Sequence, residues 1–391
     1  MTVRGAARLS IVIATIGAVF APLRAGAQFE SPVLEGVPEI YMPGEIESAR
    51  AAGMGRVTSV QHDGAIATWW NPGFLAWDRT HSLALSTADL SFWRESDSGH
   101  TRSATFSGPL PFGPDAMAFG LGFKRLAFEF NAFSPLGDEG LVEIVQDAYV
   151  LALGVPVSSS IAIGASAEYV RDDVDGESAD AASLSFGAAF RRPIVFEPAG
   201  IESGDSIAIV RRLVLTPLAG ASFLHVGQDL DYDSFEVELA RQLRGGVGLG
   251  VALEPPPGTP AFDRRRWSQL DLTTLLEVYF PAVEAEQISQ RRAIVHMGAE
   301  LVLFSMLSGR IGFIDNDSRQ PPLYGSRDET FGFGLALPPG LPVTARFDWA
   351  SVPSLFDERI DRWSIEVGLA RDSAPSNGLD SGASSSLPFA R

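Results

Sequence analysis

Ile161-Ala162-Ile163-Gly164-Ala165-Ser166-Ala167-Glu168-Tyr169 sorts its side chains onto two faces with a period of two. One face carries Ile161, Ile163, Ala165, Ala167 and Tyr169, and the other Ala162, Gly164, Ser166 and Glu168. Side chains on a strand point alternately to opposite faces, so the stretch reads as β-strand and not as helix. The same alternation returns at 182–190, with Leu184, Phe186 and Phe190 opposed to Ser183, Ser185 and Gly187. It returns at 293–303, where Val295, Met297, Leu301 and Leu303 oppose His296, Gly298 and Glu300. Near the C-terminus Trp363, Ile365, Val367 and Leu369 oppose Ser364, Glu366 and Gly368. Further runs lie at 115–123, 126–133, 245–253, 270–280, 330–337 and 343–349.

Alternation alone fits a soluble sandwich, which hides its apolar face, or a membrane barrel, which turns that face to lipid. Three features favour the barrel. The strands approach the roughly ten residues that a tilted transmembrane strand requires. Their second face is crowded with Gly, Ala and Ser, as suits a filled interior. Phe92, Trp93, Phe123, Tyr169, Phe190, Phe280, Trp349 and Trp363 lie near strand ends, where aromatic girdles form. Segments 94–100, 171–180, 255–268 and 315–329 read as long outward loops, and 155–157 and 337–340 as short periplasmic turns.

Composition bounds the rest. The 391 residues contain no cysteine, which excludes disulfides, thiolate metal sites and thiol catalysis. A net charge of −18, with Lys124 as the single lysine, argues against nucleic acid as a partner. No apolar run reaches the roughly eighteen residues of a membrane helix. Arg4 and Arg8, the apolar stretch Leu9–Phe20 and Ala25-Gly26-Ala27 have the layout of a cleaved secretory signal, so residues 1–27 are expected to be removed. Residues 28–80 then form an N-terminal arm and inner segment, 81–371 the barrel, and 372–391 a Ser- and Gly-rich disordered tail.

Between signal and strands stands one motif. Gly53-Met54-Gly55 is followed by Asp63-Gly64-Ala65 and by Trp70-Asn71-Pro72-Gly73 with Leu75-Ala76. Gly53, Gly55 and Gly64 suit tight turns. Pro72 removes a donor and biases Asn71 away from helix, and Gly73 would allow a positive φ, so a turn is expected at Asn71–Gly73. These residues resemble the N-terminal region of the PorV/PorQ outer-membrane proteins, within the wider FadL-like β-barrel superfamily. Phe347-Asp348-Trp349-Ala350 with Asp361-Arg362-Trp363-Ser364-Ile365 resembles the closing hairpin of those families. The resemblance implies an all-β transmembrane antiparallel barrel of about fourteen strands in a Gram-negative-type outer membrane, in agreement with the even-number rule. It also implies an N-terminal hatch inside the lumen, carried here by Gly53, Met54, Gly55, Asp63, Trp70, Asn71, Pro72 and Gly73. Gly73 stands where the families usually have Ala, and Arg56 follows the G-M-G.

No catalytic signature accompanies this architecture. His62, His81, His100, His225 and His296 lack metal spacing. Gly164-Ala165-Ser166-Ala167-Glu168 fails the nucleophile elbow at its last position. Gly246-Val247-Gly248-Leu249-Gly250 lies in an alternating strand with no helix after it, so its glycines are expected to admit a neighbouring backbone. The chain is therefore read as a non-enzyme without cofactor or metal. Glu129, Glu168, Glu277, Glu300, Asp348 and Glu366 are expected to share the lumen face with Arg310 and Arg346, either as ion pairs or as the wall of a polar path. The family resemblance implies a platform for protein secretion or surface attachment, with secreted proteins or secretion machinery as partners besides membrane lipid. Its alternative is a channel that takes up hydrophobic small molecules. Apolar residues at the lumen mouth would favour transport, and a lumen filled by the inner segment would favour the platform.

Overall fold

The computed structural model describes residues 48–369, apart from 62–63, 79, 92–97, 111–116, 134–138, 197–211, 233–235, 238, 240, 255–269, 282–293, 316–328, 339–340 and 354–358. The expected signal, arm and tail lie outside the described residues, as do Asp63, Phe92 and Trp93.

The strands are β1 His81–Ser91, β2 Ser98–Pro109, β3 Ala118–Phe133, β4 Glu139–Pro156, β5 Ile161–Val174 and β6 Glu177–Arg191. After them come β7 Ile194–Phe196, β8 Arg212–Gly227, β9 Leu230–Asp231, β10 Glu236–Val237, β11 Gln242–Glu254 and β12 Leu270–Pro281. The series ends with β13 Ile294–Leu303, β14 Leu307–Asp315, β15 Glu329–Ala336, β16 Val343–Pro353 and β17 Arg359–Leu369. Each wall strand pairs antiparallel with its neighbours, β11 pairs with β8, and β1 pairs with β17 through His81↔Leu369 to Ala88↔Arg362. The sheet thus closes on itself as a 14-stranded barrel, with β7 beside β8 and the β9–β10 hairpin as a separate pair packed on Ala179 and Ala181 of β6. Closure satisfies every wall strand on both edges, the condition for a sheet in lipid.

The parity read from the sequence is the parity observed. On β5, Ile161, Ile163 and Tyr169 are exposed, while Ala162, Ser166 and Glu168 are buried. The outward rows are Leu, Ile, Val and Phe, bounded by touching aromatics: Phe123, Tyr149 and Tyr169 on one side of the barrel, and Phe333, Phe347, Trp349 and Trp363 on the other. An apolar band edged by aromatic rings is the outer surface of a membrane barrel.

Four expectations need correction. The runs 115–123 and 126–133 are one strand, β3. Segment 171–180 is not a long loop: β5 and β6 continue to a two-residue turn at Asp175 and Gly176, whose φ values of 53° and 88° match the mirror-image turn that suits a hairpin's twist. Segment 255–268 joins β11 to β12, and strand alternation puts that connection at the end that holds Val157–Ser160, opposite the 315–329 connection. Finally, Glu129 faces outward. It shares parity with Leu121, Phe123 and Arg125, while Lys124, Leu126 and Phe128 are buried.

The last correction has a physical reason. Beyond the aromatic row the outer face turns charged, with Arg125 paired to Asp147 and with Arg171, Asp180 and Glu143 exposed. On the inner face there Leu126, Phe128 and Val170 are buried beside the polar side chains of Thr101, Gln146 and Asp172. The strands run out of the lipid into water, and the outer face turns charged with the solvent.

Candidate functional site

Residues 48–61 and 64–78 pack against the inner wall. Ser48 caps the helix Ala49–Gly53 by accepting a hydrogen bond from Arg50 N–H. Gly55 and Arg56, with φ of 69° and 59°, reverse the chain into Val57–Gln61. The helix Gly64–Trp70 follows, and Asn71 then caps a 3-10 helix, Pro72–Trp77, by accepting from Gly73 N–H at 3.2 Å. Proline at the first position of that helix loses no hydrogen bond, because the first amides of a helix have no intrahelical partner. The Asn71–Gly73 segment is therefore a helix start and not a turn, and Gly73 does not need a left-handed φ.

What Gly73 does need is space: its α-carbon faces Ala189 N and Gly187 O of β6. The same reason accounts for the glycines on the inner wall. A Cβ at Gly164 would overlap the Pro72 carbonyl, one at Gly312 would overlap Gly55 N, and one at Gly298 would overlap Met54. Gly246 lies against the side chains of Ser59 and Val60, so it makes room for side chains of the segment and not, as expected, for its backbone. Met54, Val57 and Val60 pack on Leu218 and Leu275, and Phe74 and Leu75 pack on Ala118, Ala152 and Ala189.

Two charged clusters hold the segment. In the first, Glu277 on β12 accepts from Thr58 N–H at 3.0 Å and Ser59 N–H at 2.5 Å. Arg244 on β11 donates to Glu277 at 2.9 Å and to Thr58 Oγ1 at 3.2 Å, and its guanidinium lies over the rings of Trp70 and Tyr279. His296 Nδ1 donates to the Arg56 carbonyl at 3.1 Å. Both backbone amides of the turn thus end on one buried carboxylate, whose charge Arg244 balances.

In the second cluster, Arg50 reaches from the segment to Glu300 on β13, with Nε at 3.1 Å from Oε1. Glu300 also accepts from Arg310 Nε at 2.7 Å, and Arg310 Nη2 lies 2.7 Å from Asp348. Arg346 continues the chain to Asp348 and to Glu366. Of the lumen charges expected from sequence, Glu300, Arg310, Arg346, Asp348 and Glu366 therefore form one network, Glu277 belongs to the other cluster, and Glu168 stands apart with His225. Gly53, Met54, Gly55, Trp70, Asn71, Pro72 and Gly73 all lie in the inner segment.

Several partners escaped the sequence reading. Lys124 and Arg244 share strand parity with Gly122 and Gly246, so the inward glycines could have identified them. Arg50 gave no signal, because its partner is 250 positions away. His225 was hidden by an irregularity: β8 shifts register opposite Leu184–Phe186, His225 takes φ 58°, and its Nδ1 turns inward to 3.2 Å from Glu168. Bulges re-aim side chains in this way.

Above the segment, at the end of the barrel away from His81, the inner face carries an apolar cluster among polar side chains such as Thr101, Gln146, Asp172 and Arg362. Leu126, Phe128, Val150, Val170, Leu224 and Val352 surround Trp69 and Trp70, with Ile144 and Ile360 packed against them. Lys124 Nζ sits 4.5 Å above the Trp69 ring, and Trp69 Nε1 donates to Thr105.

The chain is a closed, outward-apolar barrel of the outer-membrane type. No protein-family description and no curated protein matches it. Among solved structures it is similar to a deltaS2 mutant of the monoaromatic hydrocarbon channel TodX, at 11% identity, over 83% of this chain and 98% of that one, with a TM-score of 0.42. It is similar to the monoaromatic hydrocarbon channel CymD at 11% identity, over 83% and 97%, with a TM-score of 0.43. A Pseudomonas aeruginosa FadL homologue aligns at 10% identity, over 82% and 97%, with a TM-score of 0.38. These likenesses are distant, and the fold rests on the strand pairing itself.

Proposed function

We propose that the protein is an outer-membrane channel for hydrophobic small molecules, with residues 48–78 acting as a hatch that must shift for passage. The observation that carries this reading is the apolar cluster on the inner face over Trp69 and Trp70. Barrel interiors are ordinarily polar throughout. An apolar layer instead lowers the free energy of an apolar solute entering from the outer mouth. Beneath it the hatch is held by two charged clusters, by close backbone approach and by apolar contacts of Met54, Ile66, Trp70, Phe74 and Leu75, none of which belongs to the strand ladder. It can therefore unlatch locally while the wall stays paired. The secretory signal and the outer-membrane destination belong to the same reading.

The filled lumen also supports a second reading, a PorV/PorQ-type platform that recruits secreted proteins through its loops. One experiment separates the two. Reconstituted wild type and an Arg244→Met/Glu277→Leu variant are compared for uptake of a fluorescent hydrophobic probe into liposomes. Uptake above empty liposomes that rises in the unlatched variant supports the channel. A folded barrel without uptake in either form rejects it in favour of the platform.

A further inference from the structure

The short strands β9 and β10 pair only with each other, and a two-stranded hairpin by itself is at best marginally stable. Its support comes from the wall. Leu230, Tyr232 and Leu239 are buried against Ala179 and Ala181 of β6, with Val174 of β5 packed beside them. Ala179 and Ala181 share strand parity with the buried Ser183 and Ser185, so the hairpin lies on the lumen side. Tyr232 donates its hydroxyl to Asp172 Oδ2 at 2.6 Å, and Gln146 Nε2 donates to the same oxygen at 2.7 Å. At the base of the hairpin, Gln228 N–H donates to the Ala182 carbonyl at 2.9 Å. Asp229 accepts there from Leu239 N–H at 3.0 Å and from Arg241 at 3.2 Å.

The hairpin sits at the entrance to the apolar cluster. The register pairs Ala181 directly with Val170, and Val170 and Ala148 are the next inward residues below Asp172 and Gln146. Val170 and Ala148 both belong to the cluster over Trp69 and Trp70. A solute arriving from the outer mouth on this side meets the hairpin before it meets the cluster. The hairpin is also held more weakly than the hatch. Asp172 is fully buried, yet its two partners are a hydroxyl and an amide, whereas Glu277 and Glu300 are each bound by arginine. Hydrogen bonds from uncharged donors are the weaker kind.

We propose that the β9–β10 hairpin is a lid on the outer side of the solute route, opened by release of Tyr232 from Asp172 while the hatch below stays latched. The proposal rests on the channel reading and adds an entry step to it. With the lid raised, the inner face at Ala179, Ala181 and Val170 becomes open to an apolar solute, and the wall ladder is untouched because β9 and β10 are not part of it.

The chain has no cysteine, so an introduced pair can be bridged selectively. In Asp172→Cys/Tyr232→Cys, joining the two thiols with a short bis-methanethiosulfonate should cut uptake of a fluorescent hydrophobic probe to the level of empty liposomes, and dithiothreitol should restore it. Tyr232→Phe, which removes only the latch hydroxyl, should raise the wild-type rate by up to about tenfold, the effect of losing one hydrogen bond. Mass spectrometry verifies the bridge, and heat-shifted gel mobility verifies a closed barrel. Equal uptake before and after bridging overturns the lid and leaves the channel reading standing. So does an equal loss when the reagent reacts with Tyr232→Cys alone, or a Tyr232→Phe rate no higher than wild type. No uptake in any form, Arg244→Met/Glu277→Leu included, overturns both.

Discussion

Removing the Glu277 carboxylate should release the hatch while sparing the wall. In Glu277→Ala, Thr58 and Ser59 lose the acceptor for their amides, and Arg244 loses its counter-ion within a buried site. Breaking one side of a buried ion pair costs about 3–5 kcal/mol, mostly through the charge left behind. Each 1.4 kcal/mol is a factor of ten, so the opened hatch should gain between about 10² and a few times 10³ in population. Hydrogen exchange on refolded protein reads this directly, because protection of the Thr58 and Ser59 amides should fall by that factor. Amides of β12 and β13, held by the wall ladder, should keep theirs. Arg244→Met/Glu277→Leu adds a second check. It abolishes the unpaired charge but not the two orphaned amides, so it should recover part of the loss and not all of it. Unchanged protection at Thr58 and Ser59 in Glu277→Ala, in a folded barrel, would refute the idea that this carboxylate holds the hatch.

Gly164→Val places side-chain atoms where the Pro72 carbonyl now lies, and overpacking of this kind costs about 1–3 kcal/mol. It should expose residues 64–78 to limited proteolysis while heat-shifted gel mobility stays that of a closed barrel. Asn71→Ala removes the helix cap and the bonds to the Ser59 and Ala188 carbonyls, and should lower hatch protection by about 1–2 kcal/mol in the same exchange experiment. Leu151→Arg puts a charge in the lipid band and should destabilise the barrel by about 2–4 kcal/mol in denaturant titration of the micellar protein. Glu129→Arg, beyond the aromatic row, should leave the midpoint nearly unchanged in that titration, and an equal loss would refute the placement of Glu129 outside the lipid band.

Much of this architecture was legible in single strands. The alternation at Ile161–Tyr169 and at Trp363–Leu369 identifies strands and both of their faces, because side-chain direction on a strand depends on parity alone. The Gly, Ala and Ser on the inner face announced a filled lumen before any partner was known. The placement of a hatch at Gly53–Gly73 came from the motif's resemblance and not from periodicity.

Parity does not say where lipid stops. Glu129 reads as a lumen carboxylate in a barrel that is all membrane, and as a surface residue once β3 is seen to outrun the aromatic row. The turn at Asp175-Gly176 was overlooked for the same reason, since charges at Arg171, Asp173 and Asp180 look like a loop when every strand is assumed to end at the interface. Partnerships were further out of reach. Arg50 meets Glu300, Thr58 meets Glu277 and His225 meets Glu168 only because fourteen strands close into a ring and a bulge turns one imidazole inward. Local side-chain direction is a property of the chain at each residue. Which charges face one another across the lumen is a property of closure and register, and those are decided only when the last strand pairs with the first.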